Sequence, residues 1–400
     1  MKLSGKRGSY TVFLVMFISG MLVMAGAVID HAHRRAIDSS AEDLGRVWAL
    51  SILGEYDRVL RDRYGLMGYY GNEIKVEDKL VRYARYTYKS KKYIKVGHIS
   101  ADLESHRLTD LNNFKDQINL AIAGLACPVP FEEDETGQEG EATSVNRRIT
   151  AKWIINGLPS RNHREDGFKG FLGGNFQETI YIFQFFKDHV DQRDLGKTYF
   201  TNEIEYIISG KLDDEKARKV VYYELLAERN ALNLAYLYNC ETKRQATLEA
   251  AELLTPGPEA LLTQALIMEA WALLEARNDI EILYDGEGVP LLKEDDNWAL
   301  SLEAAIDEVF GDDRELDTDK KKKYVSPKSI EGEIYEDYLK TLLLAVPEKK
   351  KLLRIMDLIQ INMKYAYCDH FLMDDHYQGV DYEIKVNGKT HEFSLRYGWK

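Results

Sequence analysis

The chain has 400 residues, of which 45% are hydrophobic and 25 are tyrosine, enough material for a sizeable core, and its formal net charge is −13. Its first 35 residues carry five Lys or Arg against one acid, Asp30, a net of +4 that leaves −17 on the remainder; such a surface disfavours nucleic acid and anionic lipid headgroups as the main partner. Three cysteines, Cys127, Cys240 and Cys368, give no even framework and no CxxC spacing, so a disulfide scaffold is not indicated.

The first element is Tyr10 to Ile29, twenty residues without a charge, preceded by Lys2, Lys6 and Arg7. A helix of that length covers the roughly 30 Å hydrocarbon core of a bilayer, whereas the apolar region of a signal peptide is about 7–15 residues. A cleaved signal peptide and a buried hairpin helix are the rival readings, but no small-x-small cleavage signal follows, and apolarity on every face fits lipid. Residues 1–9 are expected in the cytoplasm, 10–29 in the membrane, and 30–66 as an extracytoplasmic stalk that continues the helix toward Arg63. Ser19, Gly20, Ala25 and Gly26 are the small residues that would let a neighbouring membrane helix approach.

Beyond the stalk the reading is α+β, mainly α. Residues 67–126 form a small α/β lobe, with a helix from Val76 to Tyr88, a strand pair or one long strand within Tyr93 to Arg107, and a helix from Leu111 to Leu125. Residues 127–150 combine Pro, Gly and acids and read as an acidic linker. Residues 151–376 form a helical body. Its helices run from Thr179 onward, from Lys211 to Asn239 with Asp213 as N-cap, from Thr242 to Leu254, from Glu259 to Leu283, from Tyr335 to Ala345, and from Lys349 to about Tyr367. Gly311 to Lys328 reads as another loop. In residues 377–400 the period changes to that of strands, and Asn387-Gly388 marks a small antiparallel hairpin, since both positions of a type I′ turn need positive φ. A strand of the small lobe is a candidate to pair with it.

Little of the chain carries chemistry. Gly167 to Asn175 lacks the ending of a phosphate loop, and there is no HExxH, GxSxG or paired CxxC. Cys368, Asp369, His370, Asp374, Asp375 and His376 put six metal-ligating side chains within nine positions, but a helix terminus with solvated polar groups is the favoured reading. Asp312, Asp313, Asp317 and Asp319 lack the glycine and terminal glutamate of a calcium loop. Glu269 and Glu275 flank Trp271 on an apolar helix, where a structural ion pair with Arg277 or Arg229 is expected over acid/base catalysis. Tyr83 to Tyr93 is tyrosine-rich and suits packing better than stacking on a polymer. The expectation is a protein that is not an enzyme, holds no cofactor or metal, and acts by assembly. A membrane-tethered binding protein or adhesin with a tyrosine-lined pocket, or a metal-dependent enzyme built on Cys368 to His376, are the alternatives.

Arg7 to Tyr69 resembles the N-terminus of TadE/TadG-type, pseudopilin-like proteins of tight-adherence (Tad, or Flp) pilus loci, and more closely a domain family of unknown function that accompanies such loci in Gram-positive bacteria. The opening Gly-Ser-Tyr-Thr-Val-Phe-Leu is followed by Leu53, Glu55, Tyr56, Leu60, Tyr64, Gly65 and Leu66 in the spacing of that family. Further similar stretches are NEIEYIISGK, RNALNLAYL, EAWALLEARNDIEIL, GVPLLK and EDYLKTLLLAVPEKKKLLRIMDLIQINMK. The resemblance implies a cytoplasmic N-terminus, one membrane span and an exported body. It also implies the role of an accessory or minor pilin-like component whose partners are other pilus or secretion-system membrane proteins. It places Glu55, Tyr56, Tyr64 and Gly65 where the stalk meets the body. Prepilins cut after a glycine carry Glu at the fifth mature position; after Gly8 that position here is Phe13.

Overall fold

The computed structural model describes residues 7–91, 93–125, 154–162, 175–310 and 332–398. The acidic linker at 127–150, Cys127, the stretch 167–174 and the loop at 311–328 lie outside the described residues. The fold is mainly helical with small antiparallel sheets, and it divides into two compact units.

The first unit begins with α1, Arg7–Leu53, a helix of 47 residues, about 70 Å at 1.5 Å per residue. Its sequence contains no proline to break it, and its residues are exposed from Tyr10 to Ala36. From Ile37 onward one face turns inward, burying Ile37, Ala41, Trp48 and Ile52 at helical spacing. The expected continuation to Arg63 does not occur. The Gly54 and Glu55 N–H groups still donate back to Leu50 O and Ile52 O of α1, at 2.8 and 3.0 Å, but the Asp57 N–H donates to Gly68 O at 2.8 Å and Tyr56 bridges Tyr69. The Asp57 carboxylate then accepts the Leu60 N–H at 3.0 Å, starting a new helix, α2, Arg58–Tyr64. Gly65 closes α2 in the left-handed region at φ 68°.

Around the buried part of α1 lie α3 (Glu73–Tyr88) and two sheets, and α4 spans Leu111–Leu125. The smaller sheet pairs β1, Tyr69–Tyr70, with β3, His376–Tyr377; the larger orders β2 (Val96–Asp102), β4 (Gly379–Val386) and β5 (Lys389–Arg396) as β2-β4-β5, all antiparallel. The segment Tyr93 to Arg107 thus holds one strand, followed by a short 3-10 turn at Glu104–His106. Val380, Tyr382, Ile384 and Val386 alternate inward along β4, and Val76, Leu80, Ala84 and Tyr88 form a straight i, i+4 stripe on α3; both meet α1 in one core. Asn387 and Gly388 have φ 49° and 88°, as a two-residue type I′ hairpin demands. The Asn387 carboxamide also accepts the Lys95 N–H at 2.8 Å, which fixes the start of β2 against the turn. Residues 67–120 and the C-terminal strands therefore belong to one folded unit.

The described elements of the second unit are helices, with one antiparallel bridge between Val289 and Glu333: α5 (Pro159–Asn162), α6 (Asn175–Phe185), α7 (Glu203–Ser209), α8 (Asp214–Asn239), α9 (Glu241–Leu254), α10 (Ala260–Tyr284), α11 (Leu302–Phe310), α12 (Tyr335–Ala345) and α13 (Glu348–Ala366). Asp213 caps α8 by accepting the Lys216 N–H at 3.0 Å. α13 is buried on nearly every face, and polar side chains at its centre are paired, although the buried Lys351 ammonium has no hydrogen-bond partner among the described residues: Asp357 accepts from the Ser160 N–H at 3.0 Å and the Tyr206 hydroxyl at 2.8 Å, while Gln360 donates to Gly157 O at 2.8 Å. Such pairing is what allows polar groups in the middle of a core.

Candidate assembly site

Among the described residues one helix is long and apolar enough to cross a bilayer, with a mean hydropathy of 2.6 over its best window and none of that window buried. On this helix a Cβ added to Gly20 or Gly26 would meet nothing within 4 Å, and the Ser19 hydroxyl donates to Val15 O of its own helix at 2.7 Å. At 100° per residue, Ser19 and Gly26 fall within about 20° of one another, whereas Gly20 and Ala25 lie roughly 100° to either side. The four small residues do not form one stripe; Ser19 and Gly26 share a face.

The second expected group sits where α1 ends. Glu55 accepts from the Lys79 ammonium and from the Tyr83 hydroxyl, the latter at 3.5 Å, tying the turn to α3. The Tyr56 hydroxyl accepts from Arg61 at 2.5 Å, and that guanidinium also lies 4.9 Å from the Tyr56 ring centroid. Tyr64 is buried, and the Gly65 N–H donates to Arg61 O at 2.7 Å. All four residues serve one turn, the reversal that lets β1 form.

Several residues not singled out by sequence reasoning complete this junction. The Tyr397 hydroxyl donates to Leu53 O, one of the terminal carbonyls of α1, and burial, with Tyr56 and Glu55 nearby, pushes that hydroxyl above its ordinary pKa. The Tyr382 hydroxyl donates to Gly45 O at 2.6 Å. Burial raises Asp57, but the adjacent His376 ring and the Leu60 and Val59 N–H groups outweigh it and hold the carboxyl below the usual range. Gly45 was the one available signal, a lone glycine inside a helical pattern that marks close approach.

The six residues from Cys368 to His376 are not assembled as ligands. Cys368, Asp369 and His370 are exposed, Asp374 pairs with Arg107 at 3.1 Å and Thr109 at 2.8 Å, and His376 faces Leu372 O at 2.8 Å. Among the described residues no group of three or more His, Cys, Asp or Glu converges as metal ligands do.

The second unit holds a buried charge network with different pairings from those expected. Glu275 accepts from Lys293 at 2.6 Å and from the N–H groups of Ala299 and Leu300, not from Arg277 or Arg229. Arg229 instead meets Asp279 at 2.9 Å and donates to Pro290 O, Leu291 O and the Tyr338 hydroxyl. The Lys293 ammonium also lies 2.7 Å from Asp279. Glu269 accepts from Asn230 at 2.8 Å, and Arg277 faces Glu308 at 3.5 Å. With two buried cations against two buried anions and backbone groups satisfied, the cluster locks the segment 289–300 onto α8 and α10. Nearby in the same unit, burial pushes Glu205 up to about 8, although the Tyr335 hydroxyl and the His189 N–H each donate to it at 2.8 Å.

Residues 110–388 match the model of a family described as a family of unknown function, DUF5702. The chain belongs to DUF5702. No curated protein matches it and no solved structure does. The DUF5702 match begins at Asp110, whose carboxylate accepts the Asn112 and Asn113 N–H groups at the start of α4, and it ends at Gly388 in the hairpin turn. It includes α5 through α13 and β4. It leaves out α1, α2, α3 and β2, so the long apolar helix and the Glu55 to Gly65 junction stand beside the family match rather than within it.

Proposed function

We propose that this chain is a single-pass membrane protein with its N-terminus in the cytoplasm and its body outside, serving as an accessory or minor pilin-like component of a Tad-type pilus or secretion apparatus, by assembly rather than catalysis. The observation that carries the reading is the continuity of α1: an unburied apolar half runs without a break into a half whose face is packed inside a folded unit. A rotation or tilt imposed on the membrane half is thereby transmitted to the packed half, because a helix bends little unless a proline, bulge or inserted group interrupts it. The TadE/TadG-like pattern of Arg7 to Tyr69 supports the choice of apparatus, and the partners are other membrane proteins of that apparatus meeting the face of Ser19 and Gly26.

Two measurements test the proposal. Protease added to intact cells or protoplasts is expected to digest the body; survival of the body while an external control is degraded overturns the topology. Crosslinking in native membranes followed by purification is expected to recover pilus or secretion components. Their absence removes the assembly role.

A further inference from the structure

The hairpin formed by α9 and α10 is built inside out for a soluble protein. Its inward face buries Ala251, Ala260 and Ile267, while Leu253, Leu261 and Leu262 are exposed at 86%, 66% and 68%, joined by Leu254 and Leu266. The tip is rigidly made: Gly257 turns the chain at φ 104°, the Thr255 N–H donates to Ala251 O at 2.8 Å, and the Thr263 hydroxyl donates to that of Thr255 at 3.0 Å. Exposed leucines gathered at one ordered tip mark a contact surface. Their charge surroundings restrict what it meets. Between Arg244 and Arg277 the sequence has no Lys or Arg, and Glu249, Glu252 and Glu259 are exposed around the leucines.

We infer that this leucine tip docks into an apolar groove rimmed by Lys or Arg on another protein of the same membrane. A bilayer surface is the wrong partner, because helices that lie in headgroups carry cations beside their apolar face, and the tip between Arg244 and Arg277 carries only carboxylates. Tip-to-tip pairing of two copies is also wrong, since it would set one acidic rim against another in a contact that excludes water. A convex apolar tip with an acidic rim is complementary to a basic-edged groove, in which the leucines supply burial and the glutamates supply steering and register. The inference deepens the assembly reading by adding a body contact to the contact made by α1.

The test places a photo-crosslinking amino acid at Leu262 of the full-length protein in its native cells, in backgrounds with Glu252 and Glu259 unchanged or replaced (E252K/E259K). A control carries E224K, an exposed glutamate on α8 away from the tip. The expected result is a discrete adduct to a different protein, attached at an apolar position flanked by Lys or Arg, reduced at least tenfold by E252K/E259K and unchanged by E224K. If E252K/E259K lowers the amount of folded protein, E252Q/E259Q takes its place with the same expected direction. Adducts to lipid, to a second copy, to residues 311–331 of the same chain, adducts insensitive to the glutamates, or no adduct at all overturn the inference. The same crosslinker at Gly20 separates the two readings: partners captured from Gly20 but not from Leu262 remove the docking tip and leave the membrane assembly standing, and capture from neither site removes both.

Discussion

The ring of Phe393 fills the space that a side chain on Gly45 would occupy: a Cβ placed on Gly45 would come within 2.1 Å of the ring's Cζ. Gly45 lies in the middle of α1, where glycine costs about 1 kcal/mol relative to alanine. Here the cost permits β5 to lie directly on the helix. Phe393 stacks on Tyr382 at a centroid distance of 4.8 Å, and the Tyr382 hydroxyl donates back to Gly45 O.

Gly45→Ala is therefore expected to destabilise despite alanine's better helix propensity. Overpacking a tight site costs roughly 1–3 kcal/mol against a propensity gain of about 1 kcal/mol, for a net loss of the order of 1 kcal/mol. A larger residue such as Leu should cost more. Denaturant unfolding of the detergent-solubilised protein measures both, and a stabilised Gly45→Ala variant would show that the ring moves aside freely.

Arg229→Met leaves Asp279 and Glu275 sharing the single ammonium of Lys293, with Pro290 O, Leu291 O and the Tyr338 hydroxyl losing their donor. Removing one member of a buried ion pair costs about 3–5 kcal/mol, whereas replacing both partners by apolar groups is often close to neutral. The double variant Arg229→Met/Asp279→Leu should accordingly recover part of the loss. Equal stability of the single variant and the parent in urea titrations would contradict the network's role.

Glu205 predicts a pH dependence of defined sign. Its folded pKa is raised to about 8 by burial, so between the ordinary carboxylate range and pH 8 the folded state holds a proton that the unfolded state has released. Stability must then fall as pH rises through that window, by at most about 1.4 kcal/mol per pH unit for one proton, and level off above pH 8. Asp188, raised by burial close by, adds in the same direction. Glu205→Gln keeps an acceptor for Tyr335 and His189 but cannot titrate, so the slope of stability from pH 5.5 to 8 should be shallower in the variant; an unchanged slope would assign it to other groups.

Phe13 predicts that the chain escapes prepilin processing. Coexpression with a prepilin peptidase should leave the bond between Gly8 and Ser9 intact, read by intact-mass spectrometry. Cleavage at that bond would show that Glu at the fifth position is dispensable here.

Much of the architecture was legible because it depends on local chemistry. The helices at Leu111–Leu125 and Tyr335–Ala345 cover the residues that their apolar spacing marks. Asp213 caps α8, and Asn387-Gly388 makes the hairpin, because caps and positive-φ turns are decided by neighbouring residues. The stop of α1 at Leu53 was not legible. No proline forbids helix through Glu55 and Tyr56; the Asp57 N–H is claimed by Gly68 O and Tyr56 bridges Tyr69, residues whose position depends on the rest of the unit.

The candidate site divides in the same way. Sequence alone determined the apolar length of Tyr10 to Ile29, its small residues and the acidic character of the body, since these follow from residue type and period. Only the tertiary structure decided that Glu275 pairs with Lys293 rather than with an arginine, that Phe393 rests on Gly45, and that the leucines of α9 and α10 face outward. Those outcomes depend on which elements meet across long stretches of chain, and a helical period says which residues share a face but not which face finds a partner.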